Sequence, residues 1–321
     1  MLIPLGCADP ENYQRLFEQK AAITQQDFAQ FSPPELETFP SEPSHFRMRA
    51  EFKIWHEDGQ AYYAMFQPGE YKKAVKINEY SIGSRLMCEL MPPLLSAINN
   101  SSVLKNKLFQ AEFLTATTGD TLITLIYHRP LDDDWIEAAK QLETNLSCKI
   151  IGRSRRQKVV ISEDFITERF NVGGQTYNYQ QVETGFTQPN AGVCEKMLNW
   201  AVDASKTLAG DLVELYCGNG NFTLPLADNF SHVLATEVSK TSVNSAFYNI
   251  GINKQENVRV LRMSSEEFTS AMVGEREFRR LRDIDLDSYS FSTIFVDPPR
   301  SGLDSATEKL VAQFDNLLYI S

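Results

Sequence analysis

From residue 211 onward the chain alternates two kinds of segment, and this constrains its fold more than any other feature. The runs "DLVELY", "HVLATE", "NVRVLR", "STIFVD" and "LLYIS" are short and mostly apolar. Strands buried on both faces of a parallel sheet read this way, because helices cover both sides. Between them lie amphipathic stretches at 221–229, 241–250, 264–272 and 304–314, which the spacing predicts to be helices. Strand and helix in strict alternation imply an α/β fold with a doubly wound parallel sheet.

Such sheets bind ligands beyond the carboxyl ends of their strands. The first strand runs into "ELYCGNGNF", where Gly218 and Gly220 allow a sharp turn and close backbone approach to a ligand just before a helix. The third glycine of a dinucleotide fingerprint would fall at Thr223, which disfavours NAD and favours another adenosine cofactor. Glu237 ends the second strand, where a carboxylate accepts hydrogen bonds from ribose hydroxyls. The fourth strand ends in Asp297-Pro298-Pro299-Arg300. Two prolines stiffen that loop and remove two donors, which leaves carbonyls to face a planar group. Upstream, "FTQPN" precedes a helix with Val193, Met197, Trp200, Ala201, Ala204 and Leu208 on one face. Gln188 on that loop either satisfies local backbone or reaches the cofactor, and the residues alone leave both open.

No apolar run reaches the ~18 residues that span a bilayer. Five cysteines and four histidines are scattered without Cys-x-x-Cys or zinc spacing, so neither a disulfide framework nor a metal centre is expected. The net charge is −11, but it is unevenly spread. Residues 44–110 carry nine Lys/Arg against six Asp/Glu, while every other stretch is acidic, and a short basic run "GRSRRQK" follows at 152–158. A local basic face on an acidic protein suits a specific RNA partner better than sequence-blind binding.

Within that basic island "FRMRAEFKIWH" alternates strictly. Phe46, Met48, Ala50, Phe52 and Ile54 fall on one face; Arg47, Arg49, Glu51, Lys53 and Trp55 fall on the other. Three cations and an aromatic ring on one strand face suit phosphate contact and base stacking. Asp58-Gly59 predicts a hairpin turn into "QAYYAMFQ", and residues 109–128 predict a second hairpin turning at 118–120. Helices over 84–98 and 133–145 would cover the sheet as an α+β module, with Pro92-Pro93 kinking or ending the first. Phe109 reads equally as a core aromatic or as a ring presented to RNA.

Taken together, "FTQPN", "ELYCGNGNF", "ATE", "FVDPPRSGLD" and "LLYIS", with "SHFRMRAEFKIWH" and "LFQAEFLT", resemble the RNA uracil-5 methyltransferases. The resemblance runs nearly the length of the chain, and the absence of an N-terminal cysteine cluster fits the tRNA branch. It implies a Rossmann-like S-adenosylmethionine-dependent methyltransferase domain over 181–321, with strand order 3-2-1-4-5-7-6 and its last strands missing. It also implies an RNA-binding α+β domain over 44–180 and an N-terminal helical segment over 1–43. Gln188, Tyr216, Gly218, Asn221, Glu237 and Asp297 would serve S-adenosyl-L-methionine, and Asp297 and Arg300 would face the target uracil. Arg47, Arg49, Lys53 and Phe109 would serve RNA.

The implied reaction is C5 methylation of T-loop uridine 54 of tRNA, and of the T-like loop of tmRNA. The implied enzyme is cytoplasmic, metal-free and off the membrane, and a monomer when full length. Uracil C5 is too poor a nucleophile to take a methyl group until a thiolate has added at C6, and a base must then remove the C5 proton. In the family a Cys-Asn-Pro follows "YIS" and a later Glu is the base. Both would lie beyond Ser321, so the chain as written is expected to be inactive. Cys217 is a weak substitute nucleophile. The rival expectation is a non-catalytic protein that binds and folds tRNA while keeping part of the cofactor site.

Overall fold

The computed structural model describes residues 3–67 and 69–320; Ser321, after which the resemblance puts the nucleophile, lies outside them. The chain forms two compact units, Met1–Ile166 with Gln188–Cys194, and Thr167–Thr187 with Glu195–Ser321.

The N-terminal unit opens with helix α1 (Tyr13–Phe28), none of whose residues is buried. A sheet follows, built from β1 (Arg49–Glu57), β2 (Gln60–Gln67), β3 (Glu70–Lys76), β4 (Leu108–Thr115), β5 (Thr121–Tyr127), β6 (Lys149–Ser154) and β7 (Gln157–Val160). Its order among the described residues is β3-β2-β1-β4-β5-β6-β7, antiparallel except where β5 runs parallel to β6. The expected alternation holds along β1: Ala50, Phe52 and Ile54 are buried, while Glu51 and Trp55 face outward. Both expected hairpins form. Asp58 and Gly59 take φ of 49° and 77°, the left-handed pair that a two-residue turn needs. The basic run 152–158 turns at Arg155 and Arg156 between β6 and β7.

Helix α2 (Arg85–Asn100) continues through Pro92 and Pro93, so of the two expected outcomes these residues do not end it. Two lost donors and two ring clashes normally cost several kcal/mol. Here Met87, Leu90, Met91, Leu94 and Ile98 are buried on one face of the helix, and Tyr63 donates its hydroxyl to the Met91 carbonyl at 2.9 Å. A short helix α3 (Ser102–Lys105) leads into β4, and α4 (Asp133–Leu146) crosses over from β5 to β6. Trp135 on α4 is fully buried in the same core as Phe52, Leu94 and Phe113.

The C-terminal unit begins in the hairpin of β8 (Phe165–Val172) and β9 (Gln175–Val182). Helix α5 (Ala191–Ser205) follows, and its buried face is Cys194, Leu198, Ala201, Val202 and Ser205. That face is rotated by about one position from the expected stripe. Small residues fit the close approach, while Val193, Met197 and Trp200 are only half-buried and Ala204 is exposed.

The parallel sheet comprises β10 (Asp211–Leu215), β11 (Val233–Thr236), β12 (Val258–Leu261), β13 (Phe291–Val296) and β14 (Asn316–Tyr319). Its order is β12-β11-β10-β13-β14, the 3-2-1-4-5 part of the expected arrangement. Between the strands run α6 (Thr223–Leu226), α7 (Lys240–Asn253), α8 (Ser265–Met272) and α9 (Ser305–Val311). The first strand pairs on both sides, Leu215 with Thr236 and with Val296, which brings three strand ends level. Asn249 and Asn253 of α7 accept from the β9 amides of Gln180 and Asn178 at 2.7 and 2.9 Å, so the hairpin edge is satisfied by side chains. No helix among the described residues is long and apolar enough to cross a membrane.

A candidate cofactor pocket at the carboxyl ends of the parallel strands

The loops after β10, β11, β12 and β13 converge on one cavity of about 930 Å³. Its walls include Tyr216 and Gly218 from the first loop, Glu237 and Ser239 from the second, Ser264 to Glu266 from the third, and Asp297 to Asp304 from the fourth. The size falls in the range that encloses a nucleotide-sized ligand.

The turn after β10 is held by backbone strain and backbone bonds together. Tyr216 has φ of 64°, in the left-handed region that a bulky residue rarely enters. Its hydroxyl is tied at 2.7 Å to Ser265 Oγ at the start of α8. Gly218 (φ 57°) needs glycine for its conformation rather than for space, since a Cβ there would meet nothing within 4 Å. The Gly218 amide donates to Glu237 Oε2 at 3.1 Å, and the Ser239 amide donates to Oε1 at 2.7 Å. Each carboxylate oxygen is thereby fixed and keeps a second acceptor site. Ser239 then caps α7 by accepting from the Ser242 amide.

Among the described lining residues, four carboxylates (Glu237, Glu266, Asp297 and Asp304) face a single cation, Arg300. Burial works upward on Asp304, but hydrogen bonds from Thr307 and the Ala306 amide outweigh it and hold the carboxyl below its ordinary value. Burial raises the Tyr216 hydroxyl above its ordinary value, so the ring stays neutral. After β13 the Pro299 carbonyl accepts from the Gly302 amide at 2.8 Å, so of the two proline carbonyls expected to face a ligand this one is used by the turn.

The structure therefore brings together Tyr216, Gly218, Glu237, Asp297 and Arg300. Asn221 is half-buried and does not line the cavity, and its carbonyl accepts from the Tyr179 hydroxyl at 3.0 Å. Gln188 belongs to the segment that groups with the N-terminal unit. Sequence reasoning placed a helix over 264–272, as found, but did not assign its capped start, Ser264 to Glu266, to the site. It also left unassigned Phe186, a 70%-exposed ring on the cavity wall.

In the N-terminal unit Lys53 and Phe109 meet. The Lys53 ammonium lies 4.2 Å from the Phe109 ring centroid and bonds Gln110 Oε1. Phe109, 37% exposed, stacks on His128 with centroids 4.3 Å apart. Arg47 Nε donates to the Arg49 carbonyl at 2.9 Å. No group of three or more His, Cys, Asp or Glu side chains among the described residues is placed to hold a metal.

The sequence model of the family described as tRNA (uracil-5-)-methyltransferase matches residues 12–321. The chain belongs to the tRNA (uracil-5-)-methyltransferase family. Similar relatives include the tRNA/tmRNA (uracil-C(5))-methyltransferase of Saccharophagus degradans, 56% identical over 100% of this chain and 88% of that protein. The protein of the same name from Teredinibacter turnerae is 57% identical over 98% of this chain and 87% of its own length. Among solved structures, the fold is similar to that of Pyrococcus abyssi tRNA (uracil-54, C5)-methyltransferase in complex with S-adenosyl-L-homocysteine. The TM-score is 0.70 at 18% identity, covering 96% of this chain and 73% of that one.

Members of this family use S-adenosylmethionine, and the cavity can be tested against that molecule. A sulfonium cation suits a wall of four carboxylates and one arginine, and a ribose suits a carboxylate already fixed by two amides. The residues present fit the cofactor.

Proposed function

We propose that this chain serves the S-adenosylmethionine-dependent C5 methylation of the T-loop uridine, position 54, of tRNA, and of the T-like loop of tmRNA. The observation that carries the reading is the Glu237 carboxylate, fixed by the Gly218 and Ser239 amides on the wall of an acidic cavity, in a chain of this family. In the reading, Glu237 holds the ribose hydroxyls, and Tyr216 and Gly218 shape the wall around the cofactor. When bound, S-adenosylmethionine supplies the electrophilic methyl group. Asp297 and Arg300 face the uracil, a base that offers one N–H donor and two carbonyl acceptors. Arg47, Arg49, Lys53 and Phe109 hold the RNA by phosphate contact and stacking. The enzyme is read as cytoplasmic, metal-free and monomeric.

The step at C6 needs a thiolate, and no cysteine lines the cavity among the described residues. Cys217 lies in the turn after β10, between Tyr216 and Gly218, but is buried, and burial and the Glu214 and Glu237 charges raise its thiol well above the ordinary value. Burial likewise pushes the Cys148 thiol up to about 12. These 321 residues are therefore read as supplying the cofactor and RNA sites without the attacking thiolate.

Calorimetry of S-adenosylmethionine binding to Glu237→Ala tests the cofactor assignment. Each charged hydrogen bond lost is worth about 1.5–3 kcal/mol, so affinity should fall at least roughly tenfold. Unchanged affinity would put the ribose elsewhere.

A further inference from the structure

Residues 274–290, between α8 and β13, carry Arg276, Arg279, Arg280 and Arg282 within seven positions. That is a third of the Lys/Arg in 186–321, where 12 basic residues face 18 acidic ones. Four apolar side chains, Phe278, Leu281, Ile284 and Leu286, anchor the segment against the core of the parallel sheet. All four arginines are exposed.

One of them ties the segment to the cavity rim. Arg280 pairs with Glu267 at 2.6 Å, and the same Glu267 oxygen accepts from the Ser264 amide at 3.2 Å. Ser264 and Glu266 are cavity wall, so the arginine segment is pinned beside the opening. Arg276 lies over the Phe278 ring, 4.9 Å from its centroid. The side chains of Arg279 and Arg282 have no hydrogen-bond or ion-pair partner among the described residues, although Glu275, Glu277, Asp283 and Asp285 are close in sequence.

A polyanion whose base must enter this cavity approaches a stretch, residues 186–321, of net −6. Exposed guanidinium forks at the rim are the groups that offset such repulsion, because each can grip a phosphate through two parallel bonds. We propose that the 276–282 arginines, chiefly Arg279 and Arg282, form a phosphate-binding surface for the RNA substrate on the C-terminal unit itself. This rests on the RNA-methylating function proposed above.

The test is the salt dependence of unmodified tRNA binding by the parent chain, R279Q/R282Q and R279K/R282K. Each phosphate contact contributes roughly 0.7–0.9 to the slope of log affinity against log salt. Losing two should flatten the slope by about 1.4–1.8, a deficit of roughly 25- to 60-fold at 0.1 M salt that closes by 1 M. The lysine pair should keep most of the slope, and thermal melting should stay unchanged in both variants.

A glutamine pair with the parent's affinity and slope overturns this inference alone and hands the surface to a partner other than RNA. A glutamine pair that melts early, with the lysine pair no better than glutamine in the slope, also overturns it by making the arginines structural. A parent chain that binds no tRNA overturns the functional reading, and this inference with it.

Discussion

Glu214 gives a perturbation whose size follows from the structure. It sits on the central strand β10 at 1% exposure, and its Oε2 has no hydrogen-bond partner. Burial pushes its carboxyl from 4.5 up to about 8, partly offset by the Thr223 hydroxyl and reinforced by the Asp297 charge. The folded chain thus holds this proton more tightly than the unfolded chain does. The stability it contributes is complete below about pH 4.5 and is lost as pH rises through about 8. At 1.36 kcal/mol per unit, the loss is about 3 kcal/mol by pH 7, with a ceiling of roughly 5 kcal/mol. Glu214→Gln removes the titration while keeping the shape, so its stability should lack this pH dependence, whatever constant offset the amide adds. Between pH 5.5 and 8.5 the parent should lose roughly 3–4 kcal/mol more than the variant. For a unit of this size that is a relative fall in melting temperature of about 10 °C. Parallel melting curves across that range would refute the reasoning, because the carboxyl would then be hydrated or paired.

In the N-terminal unit, Arg47→Ala, Arg49→Ala and Lys53→Ala should each flatten the salt dependence of T-loop RNA binding by about one contact's worth. Parental slopes in all three would make the strand an ordinary solvated face. The 321-residue chain should form no covalent adduct with 5-fluorouridine T-loop RNA on denaturing gels. An adduct that disappears in Cys217→Ser would show that the buried thiol reaches the base after all.

The parallel sheet was legible because its inner strands, β10 and β11 above all, are buried on both sides and so read as continuous apolar runs. The N-terminal sheet was legible only in part, for the opposite reason. β3 reads "EYKKAVK", with too few apolar residues to stand out, β7 reads "QKVV" with no residue buried, and the run before β7 registered as charge rather than as a hairpin. Propensity misled at Pro92 and Pro93, where five buried side chains on one face of α2 outweigh two missing donors. The stripe on α5 was misplaced, apart from Ala201, because a count of large apolar residues overlooks Cys194 and Ser205, which are buried. Tyr216, Gly218, Glu237, Asp297 and Arg300 could be found because each lies at a strand end, where topology alone predicts the site. The start of α8 and Phe186 reach the same cavity through tertiary contacts that no local pattern encodes.

A chain of net −11 that serves both a sulfonium cofactor and a polyanion must separate the fields that attract them. Averaged over the surface, either charge would repel one ligand. The sequence segregates them. Positive charge is gathered in 44–110 and again in 276–282, while carboxylates collect on the cavity wall. With about 8 Å of screening in physiological salt, only exposed charges farther apart than that act nearly independently. Arg280 is where the two fields are stitched together, its guanidinium spent on Glu267 at the rim. That pairing fixes the arginine segment without adding charge to the opening, and it leaves Arg279 and Arg282 to face outward. Among the described lining residues Arg300 is the single cation, so the carboxylates there set the sign of the cavity's field.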